Sequence, residues 1–199
     1  MRKMYLSAPL PFVGQKRMLA KEFMKVLEQY PDGTLFVDLF GGSGLLSHIT
    51  KSLKPHSTVI YNDFDNYRFR MKHIPQTNQL LADIREMVGN SVPRHKIIKG
   101  ELRERIFSRI EQEENSTGYV DFITLSSSIL FSMKYKLSVQ DMRKEALYNN
   151  IRKTGYPECT DYLEGLEIVS CDYKEVFNRY KDIPGVVFLV DPPYLSTDV

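Results

Sequence analysis

Hydrophobic positions along the chain follow two spacings, separated by a long stretch in which neither persists. An uninterrupted run rich in β-branched and aromatic residues, Val186–Val190, predicts a strand buried on both faces, as in a parallel sheet, and further strands are predicted over Thr34–Phe40, Thr58–Tyr61 and Leu166–Ser170. Between them, Met18, Leu19, Phe23, Val26 and Leu27 recur at helical spacing over a predicted helix from Lys16 to Glu28, which Pro31-Asp32-Gly33 ends. A second helix is predicted over Leu45–Leu53 and a short one after Asp172, as far as Tyr180. From Arg70 to Leu166 the strand–helix rhythm is lost. Helical patterns at Leu80–Val88 and Ile97–Ile110, a polar break at Glu113–Gly118 and an apolar run at Phe122–Met133 predict a helical subdomain, since structureless loops of that length are uncommon. The chain therefore reads as α/β: one domain from residues 1–69 and 166–199, interrupted by a helical insertion over 70–165.

Composition narrows the picture only a little. At 199 residues, 42% hydrophobic and 26% charged, the chain can bury one sizeable core. A net charge of +2 is too small to imply a nucleic-acid partner by itself, so local clustering has to carry that argument. Cys159 and Cys171 lack zinc-type spacing, which predicts free thiols in a reducing compartment and no metal. No apolar run approaches a signal peptide or a membrane span, so a cytoplasmic protein without membrane contact is expected.

Polar groups gather at the carboxyl ends of the predicted strands, the edge where open α/β sheets bind ligands. The strand Thr34–Phe40 runs into Gly41-Gly42-Ser43-Gly44 and a helix, the first half of a nucleotide-binding βαβ unit. Gly44 is followed by Leu45 and Leu46 with no third glycine, which disfavours a dinucleotide. Asp63 ends the second strand at the position suited to accept hydrogen bonds from both hydroxyls of a ribose, and Asp65 is expected to cap the helix that follows. Asp172 follows the third strand. Gly14, Lys16 and Arg17 open a helix, a setting that can bind an anion. The last strand delivers Asp191-Pro192-Pro193-Tyr194, a stiff turn offering the Asp191 carboxylate and the Pro192 carbonyl as acceptors beside an aromatic ring. That tip suits a planar group with an exocyclic NH2, which could donate to both acceptors while its ring stacks on Tyr194.

The insertion carries two basic clusters: Arg94, His95, Lys96, Lys99, Arg103 and Arg105, then Lys134, Lys136, Arg143, Lys144, Arg152 and Lys153, with Tyr135, Tyr148 and Tyr156 interleaved. Cations among aromatics suit phosphate contacts and base stacking. Glu101, Glu104, Glu111, Glu113 and Glu114 lie among the same helices, so a solvated, ion-paired face is the competing reading.

Taken together these residues resemble the Dam-type, D12-class DNA adenine-N6 methyltransferases, S-adenosylmethionine-dependent enzymes with a Rossmann-like sheet. Phe40-Gly41-Gly42-Ser43-Gly44 is similar to the family's cofactor loop, Asp191-Pro192-Pro193-Tyr194 to its catalytic tetrapeptide, and Pro11 to Arg17 to its N-terminal motif. The resemblance implies S-adenosylmethionine bound by Phe12, Gly14, Lys16, Asp38, Phe40, Gly41, Gly42, Gly44, Asp63 and Asp172. Phe12 and Lys16 would meet the methionine end, Asp63 the ribose and Asp172 the cofactor's adenine. It implies catalysis by Asp191, Pro192, Pro193 and Tyr194, and contact with double-stranded DNA through Arg94, Lys96, Lys99, Arg103, Lys134, Lys136, Arg143 and Lys144 in a target-recognition insertion. A bacterial or phage-encoded restriction-modification role, with a cognate restriction endonuclease, fits that class. The family's sheet continues beyond the tetrapeptide strand, so a second chain supplying further strands, or a truncated and inactive cofactor- or DNA-binding remnant, stays open. So does another acceptor: RNA, cytosine N4 or a protein glutamine.

Overall fold

The structure is a computed structural model that describes residues 3–14, 16–131 and 134–192. Of these, residues up to Met71 and from Cys159 onward form one compact unit, and Lys72–Glu158 form another. No helix among the described residues is long and apolar enough to cross a membrane.

The first unit is a parallel sheet. A 3-10 turn at Arg17–Leu19 leads into α1 (Ala20–Leu27), followed by β1 (Phe36–Asp38), α2 (Leu45–Leu53), β2 (Val59–Asn62) and α3 (Tyr67–Lys72). After the insertion come β5 (Glu167–Val169), α8 (Tyr173–Tyr180) and β6 (Val187–Leu189). The strands lie in the order β5-β2-β1-β6, all parallel, with Phe36 opposite both Val59 and Val187. Alternation along each strand divides the core. Phe36, Val59, Val187 and Leu189 point to one face, where Ala20, Leu27, Leu45 and Ile49 of α1 and α2 cover them. Val37, Ile60 and Phe188 point to the other, against Val176 and Tyr180 of α8. This is the parallel α/β sheet predicted from the strand runs, and the Rossmann-like fold that the resemblance implies. The run Val186–Val190 differs from expectation in one respect: among the described residues β6 has only β1 beside it, so Val187 and Phe188 are half-buried and Val190 is 62% exposed.

The second unit departs further from the sequence reading. The helix expected at Leu80–Val88 begins at Ile74, as α4 (Ile74–Val88), with Pro75 in its first turn, where the missing N–H leaves no intrahelical bond unmade. Ile97 and Ile98 do not open a helix. They form β3, antiparallel to β4 (Leu147–Tyr148), each strand too short to show a period. The helix after them, α5, runs from Gly100 to Thr117, through the polar stretch expected to break it, and stops at Gly118 in a left-handed conformation, φ 72°. The polar stretch stays helical because Glu113 is turned inward, where Arg109 Nη2 meets it at 2.9 Å, while the residues around it face water. α6 (Phe122–Ile129) starts where the Asp121 carboxylate accepts the Thr124 N–H, and α7 (Val139–Arg143) where Ser138 accepts the Asp141 N–H.

Gly41, after β1, and Gly14, before α1, are required for different reasons. A Cβ at Gly41 would stand 2.3 Å from the Tyr61 ring and 2.7 Å from the Asn62 carbonyl, both fully buried. At Gly14 a Cβ would meet nothing within 4 Å, but φ is +74°. Gly41→Ala is therefore expected to cost about 3 kcal/mol through overpacking, and Gly14→Ala about 1 kcal/mol through left-handed strain alone. Urea midpoints of the two variants measure the difference.

Candidate active site

The carboxyl edge of the sheet is held together by one side chain. Asn62, the last residue of β2, is buried; its Nδ2 donates to the carbonyls of Leu39 (3.0 Å) and Cys171 (2.9 Å), and its Oδ1 accepts the Cys171 N–H at 3.2 Å. The loops after β1, β2 and β5 are thereby tied at one level. The sequence reading passed over Asn62, although a polar residue closing an apolar strand run beside Asp63 was a signal available to it. Ser47 was passed over too; its hydroxyl donates to Asp38 Oδ2 at 2.6 Å from the first turns of α2.

The glycine loop sits on this edge with its turn closed by Gly44 N–H donating to the Gly41 carbonyl at 2.7 Å. Gly42 and Gly44 both have positive φ, 49° and 71°. Support comes from beneath: Tyr162, stacked on His48 at 4.6 Å, donates its hydroxyl to the Ser43 carbonyl. From above, the Phe12 ring lies against Gly42, so close that a Cβ there would stand 2.9 Å from it. The segment carrying Phe12 is itself anchored on α3. Leu10 exchanges two hydrogen bonds with the Tyr67 hydroxyl, Arg70 Nη2 donates to the Pro11 carbonyl at 2.8 Å, and Phe12 meets Tyr67 edge to face.

Asp63 is buried and already engaged. Oδ1 accepts the Tyr67 N–H at 2.6 Å and stands 3.0 Å from the Tyr61 hydroxyl; Oδ2 accepts the Arg68 N–H at 3.0 Å. The Tyr61 hydroxyl also lies 2.8 Å from the Gly42 carbonyl, with one proton to share between the two acceptors. Asp63 therefore caps α3, the role expected of Asp65, which is exposed. The correction follows from reach: the first free N–H groups of α3 are those of Tyr67 and Arg68, and the buried carboxylate at the strand end points at both. Of a carboxylate's four acceptor positions one remains, on Oδ2. Burial, the largest influence, raises the Asp63 pKa against the bonds that lower it.

Asp38 ends β1, and Asp191 follows the neighbouring strand β6. Asp38 is wholly buried; Oδ2 takes the Ser47 hydroxyl, and Oδ1 has no hydrogen-bond partner among the described residues. Burial pushes its pKa up to about 7, with Asp191 nearby adding to the rise and the Ser47 hydroxyl and the Phe40 and Ser47 N–H dipoles opposing it. Asp191, two residues beyond the Leu189 that pairs with Asp38, is ion-paired: Lys16 Nζ lies 2.9 Å from its Oδ1, both side chains largely covered, at 16% and 28% exposure. So Phe12, Lys16, Asp38, Gly42, Asp63 and Asp191 are brought to one edge. Gly14 lies in the strap between Phe12 and Lys16. Phe40 packs at a tilt against Tyr173, ring centroids 4.8 Å apart, and Asp172 is exposed, its carboxylate capping α8 through the Lys174 N–H. Pro192 is exposed; Pro193 and Tyr194 lie outside the described residues.

In the second unit the cations named from the sequence separate into two groups. Arg103 pairs with Glu104, Arg143 with Glu104 and Glu111, Lys134 and Lys136 with Glu145, and Lys144 with Asp141. Arg94, Lys96 and Lys99 have no carboxylate within ion-pair distance among the described residues and are exposed.

The raised Asp38 pKa gives a pH signature. Between about pH 4 and 7 the folded chain keeps a proton there that the unfolded chain has released, so this group lowers stability as pH rises through that window. Asp38→Asn is expected to gain stability relative to the unsubstituted protein across the same window, by about 1 kcal/mol per pH unit at most, and to hold a constant difference above it. Paired urea titrations from pH 4 to 8 check this.

Two comparisons bear on the edge just described. Residues 12–198 match the family described as D12 class N6 adenine-specific DNA methyltransferase. A protein of Haemophilus influenzae, "Putative methyltransferase", is 40% identical over 200 residues, spanning 98% of this chain and 67% of the relative. The family match covers nearly the whole chain, including the glycine loop, Asp63 and the Asp191-Pro192-Pro193-Tyr194 tetrapeptide, and on that extent the chain belongs to the D12 class of N6 adenine-specific DNA methyltransferases.

Proposed function

We propose that this chain transfers the methyl group of S-adenosylmethionine to N6 of adenine in double-stranded DNA, at a specific site. The observation that carries the reading is the juxtaposition at one sheet edge of a glycine-rich turn, a buried carboxylate with an unmet oxygen and the ion-paired Asp191. S-adenosylmethionine supplies an electrophilic methyl on a sulfonium when bound. The residues present fit such a group. Gly41, Gly42 and Gly44 let the backbone approach closely, Asp38 Oδ1 is an acceptor still lacking a donor, and Asp63 Oδ2 retains one free position for a ribose hydroxyl.

Asp191 and the Pro192 carbonyl act on the acceptor. A base turned out of the duplex presents its NH2 to the Asp191 carboxylate and the Pro192 carbonyl, with its ring against Tyr194. Both acceptors draw the amino protons into plane, which directs the nitrogen lone pair along the transfer line and stabilises the positive charge that develops on nitrogen. The N–H proton leaves after the C–N bond forms, so Asp191 need not be a strong base. In the absence of a base the carboxylate is answered by Lys16, a pairing at this partial exposure worth on the order of 1 kcal/mol, small enough for an incoming amino group to displace.

The competing acceptors are RNA, cytosine N4 and protein glutamine, and a panel of methyl acceptors separates them. With labelled S-adenosylmethionine and unmethylated duplex DNA, label is expected at adenine N6. Asp191→Ala is expected to lower transfer at least about 10^3-fold, while calorimetry finds cofactor affinity within about threefold. Equal loss of binding and transfer would overturn this division of roles.

A further inference from the structure

We infer that His48 is a positioning residue of the cofactor site, holding the glycine turn in place through Tyr162 and tying the N-terminal segment to the same point through Tyr5. The inference rests on the proposed binding of S-adenosylmethionine at that turn.

His48 lies in α2 and is fully buried. Its two ring nitrogens reach segments 43 and 114 residues away in the chain. Nε2 stands 2.9 Å from the backbone nitrogen of Tyr5, which can only donate, so Nε2 is the acceptor. Nδ1 therefore carries the ring proton of a neutral imidazole and donates it to the Tyr162 carbonyl at 2.7 Å. These two contacts fix one tautomer and one ring orientation, which an apolar side chain of the same size would not do.

Tyr162 is the link to the turn. Its ring stacks on His48 with the planes 13° apart, and its hydroxyl donates to the Ser43 carbonyl at 3.1 Å. Because one imidazole holds both the carbonyl and the ring of Tyr162, the hydroxyl at the far end of that ring is aimed. Leu163 follows beneath the turn, where a Cβ on Gly44 would stand 3.0 Å from its side chain. The backbone N–H of His48 donates in turn to the Gly44 carbonyl at 2.8 Å. Ser43 and Gly44 are thus held by groups that meet in one residue.

Tyr5 brings in the N-terminal segment. Its ring stands edge-on to both His48 and Tyr162, and its hydroxyl donates to Asp161 Oδ1 at 2.7 Å. The segment that lays Phe12 against Gly42 is therefore attached, seven residues earlier, to the support beneath the same turn. A turn rich in glycine has few side chains of its own to hold it and the most conformational freedom to lose on binding. Contacts that order it beforehand spare a ligand that cost. Of the two arms of His48, the one through Tyr162 reaches the turn directly, so cofactor affinity should follow that arm.

Two amides separate the arms. The Asn amide nitrogen takes the place of imidazole Nδ1, so His48→Asn keeps the donor to Tyr162 and loses the acceptor for Tyr5. The Gln amide oxygen takes the place of Nε2, so His48→Gln keeps the Tyr5 arm and leaves the Tyr162 carbonyl unmet. Calorimetry with S-adenosylmethionine on the full chain is expected to find affinity about tenfold weaker in His48→Gln and within about threefold in His48→Asn, although both lose one buried hydrogen bond and melt earlier. Tyr162→Phe deletes only the bond to the Ser43 carbonyl and keeps the test alive if His48→Gln does not fold. It is expected to weaken binding about as much as His48→Gln, with no further loss in the double variant, since both act through one contact. Methyl transfer at saturating cofactor is expected to stay within about threefold in all of them, so that the effect falls on KM for the cofactor and not on kcat. Equal loss of affinity in His48→Asn and His48→Gln, or unchanged affinity in Tyr162→Phe, overturns the inference and leaves the cofactor reading standing. Failure of the unsubstituted chain to bind S-adenosylmethionine overturns both.

Discussion

The site depends first on the amide of Asn62. A parallel sheet aligns its strands but not the loops that leave them, and here the three loops that carry Asp38 and the glycines, Asp63, and Asp172 are fixed to one another by hydrogen bonds to this single buried side chain. Leaving those backbone groups unmet in the interior would cost about 1–3 kcal/mol each. The close approach of Gly41 to Tyr61 and Asn62 follows from the same constraint, because the loop can be drawn this near only where no side chain intervenes.

Charge is distributed around the edge unequally. Asp38 has no cation within ion-pair distance among the described residues, and burial leaves it near the boundary between its neutral and charged forms at physiological pH. Asp191, on the adjacent strand, is answered by Lys16, which arrives from outside the sheet on the segment held by Tyr67 and Arg70. The N-terminal strap therefore does two things: Phe12 covers the glycine loop and Lys16 meets the acid. Two carboxylates can share this edge because burial favours the neutral form of one and a cation compensates the other.

Much of the first unit was legible because apolar strand runs alternate with short helices; the runs at Phe36, Val59, Leu166 and Val187 and the helix Leu45–Leu53 all stand where periodicity put them. Motif spacing located the glycine loop and the strand-end acids. What periodicity could not supply was direction. Asp63 and Asp65 are two residues apart, and only the geometry of the turn decides which carboxylate caps α3. In the second unit a strand of two residues, β3, has no period to detect, so Ile97 and Ile98 were absorbed into the helix after them. The buried Glu113 kept α5 intact through a stretch whose composition reads as a break. Charge clusters read along the chain also mixed paired with unpaired cations, since Arg143 meets Glu104 and Glu111 from another helix.

The position of the insertion bears on how the chain folds. β2 and β5 are adjacent in the sheet, with Ile60 opposite Glu167, yet the whole second unit lies between them in the chain. Closing an unstructured loop of that length costs about 4 kcal/mol before any strand contact repays it. A second unit with its own buried core, Ile84, Ile106, Phe107, Ile110 and Leu125 among it, can form first from contacts within itself. Folding of that unit first would shorten the loop between Lys72 and Glu158 that the β2–β5 pairing has to close.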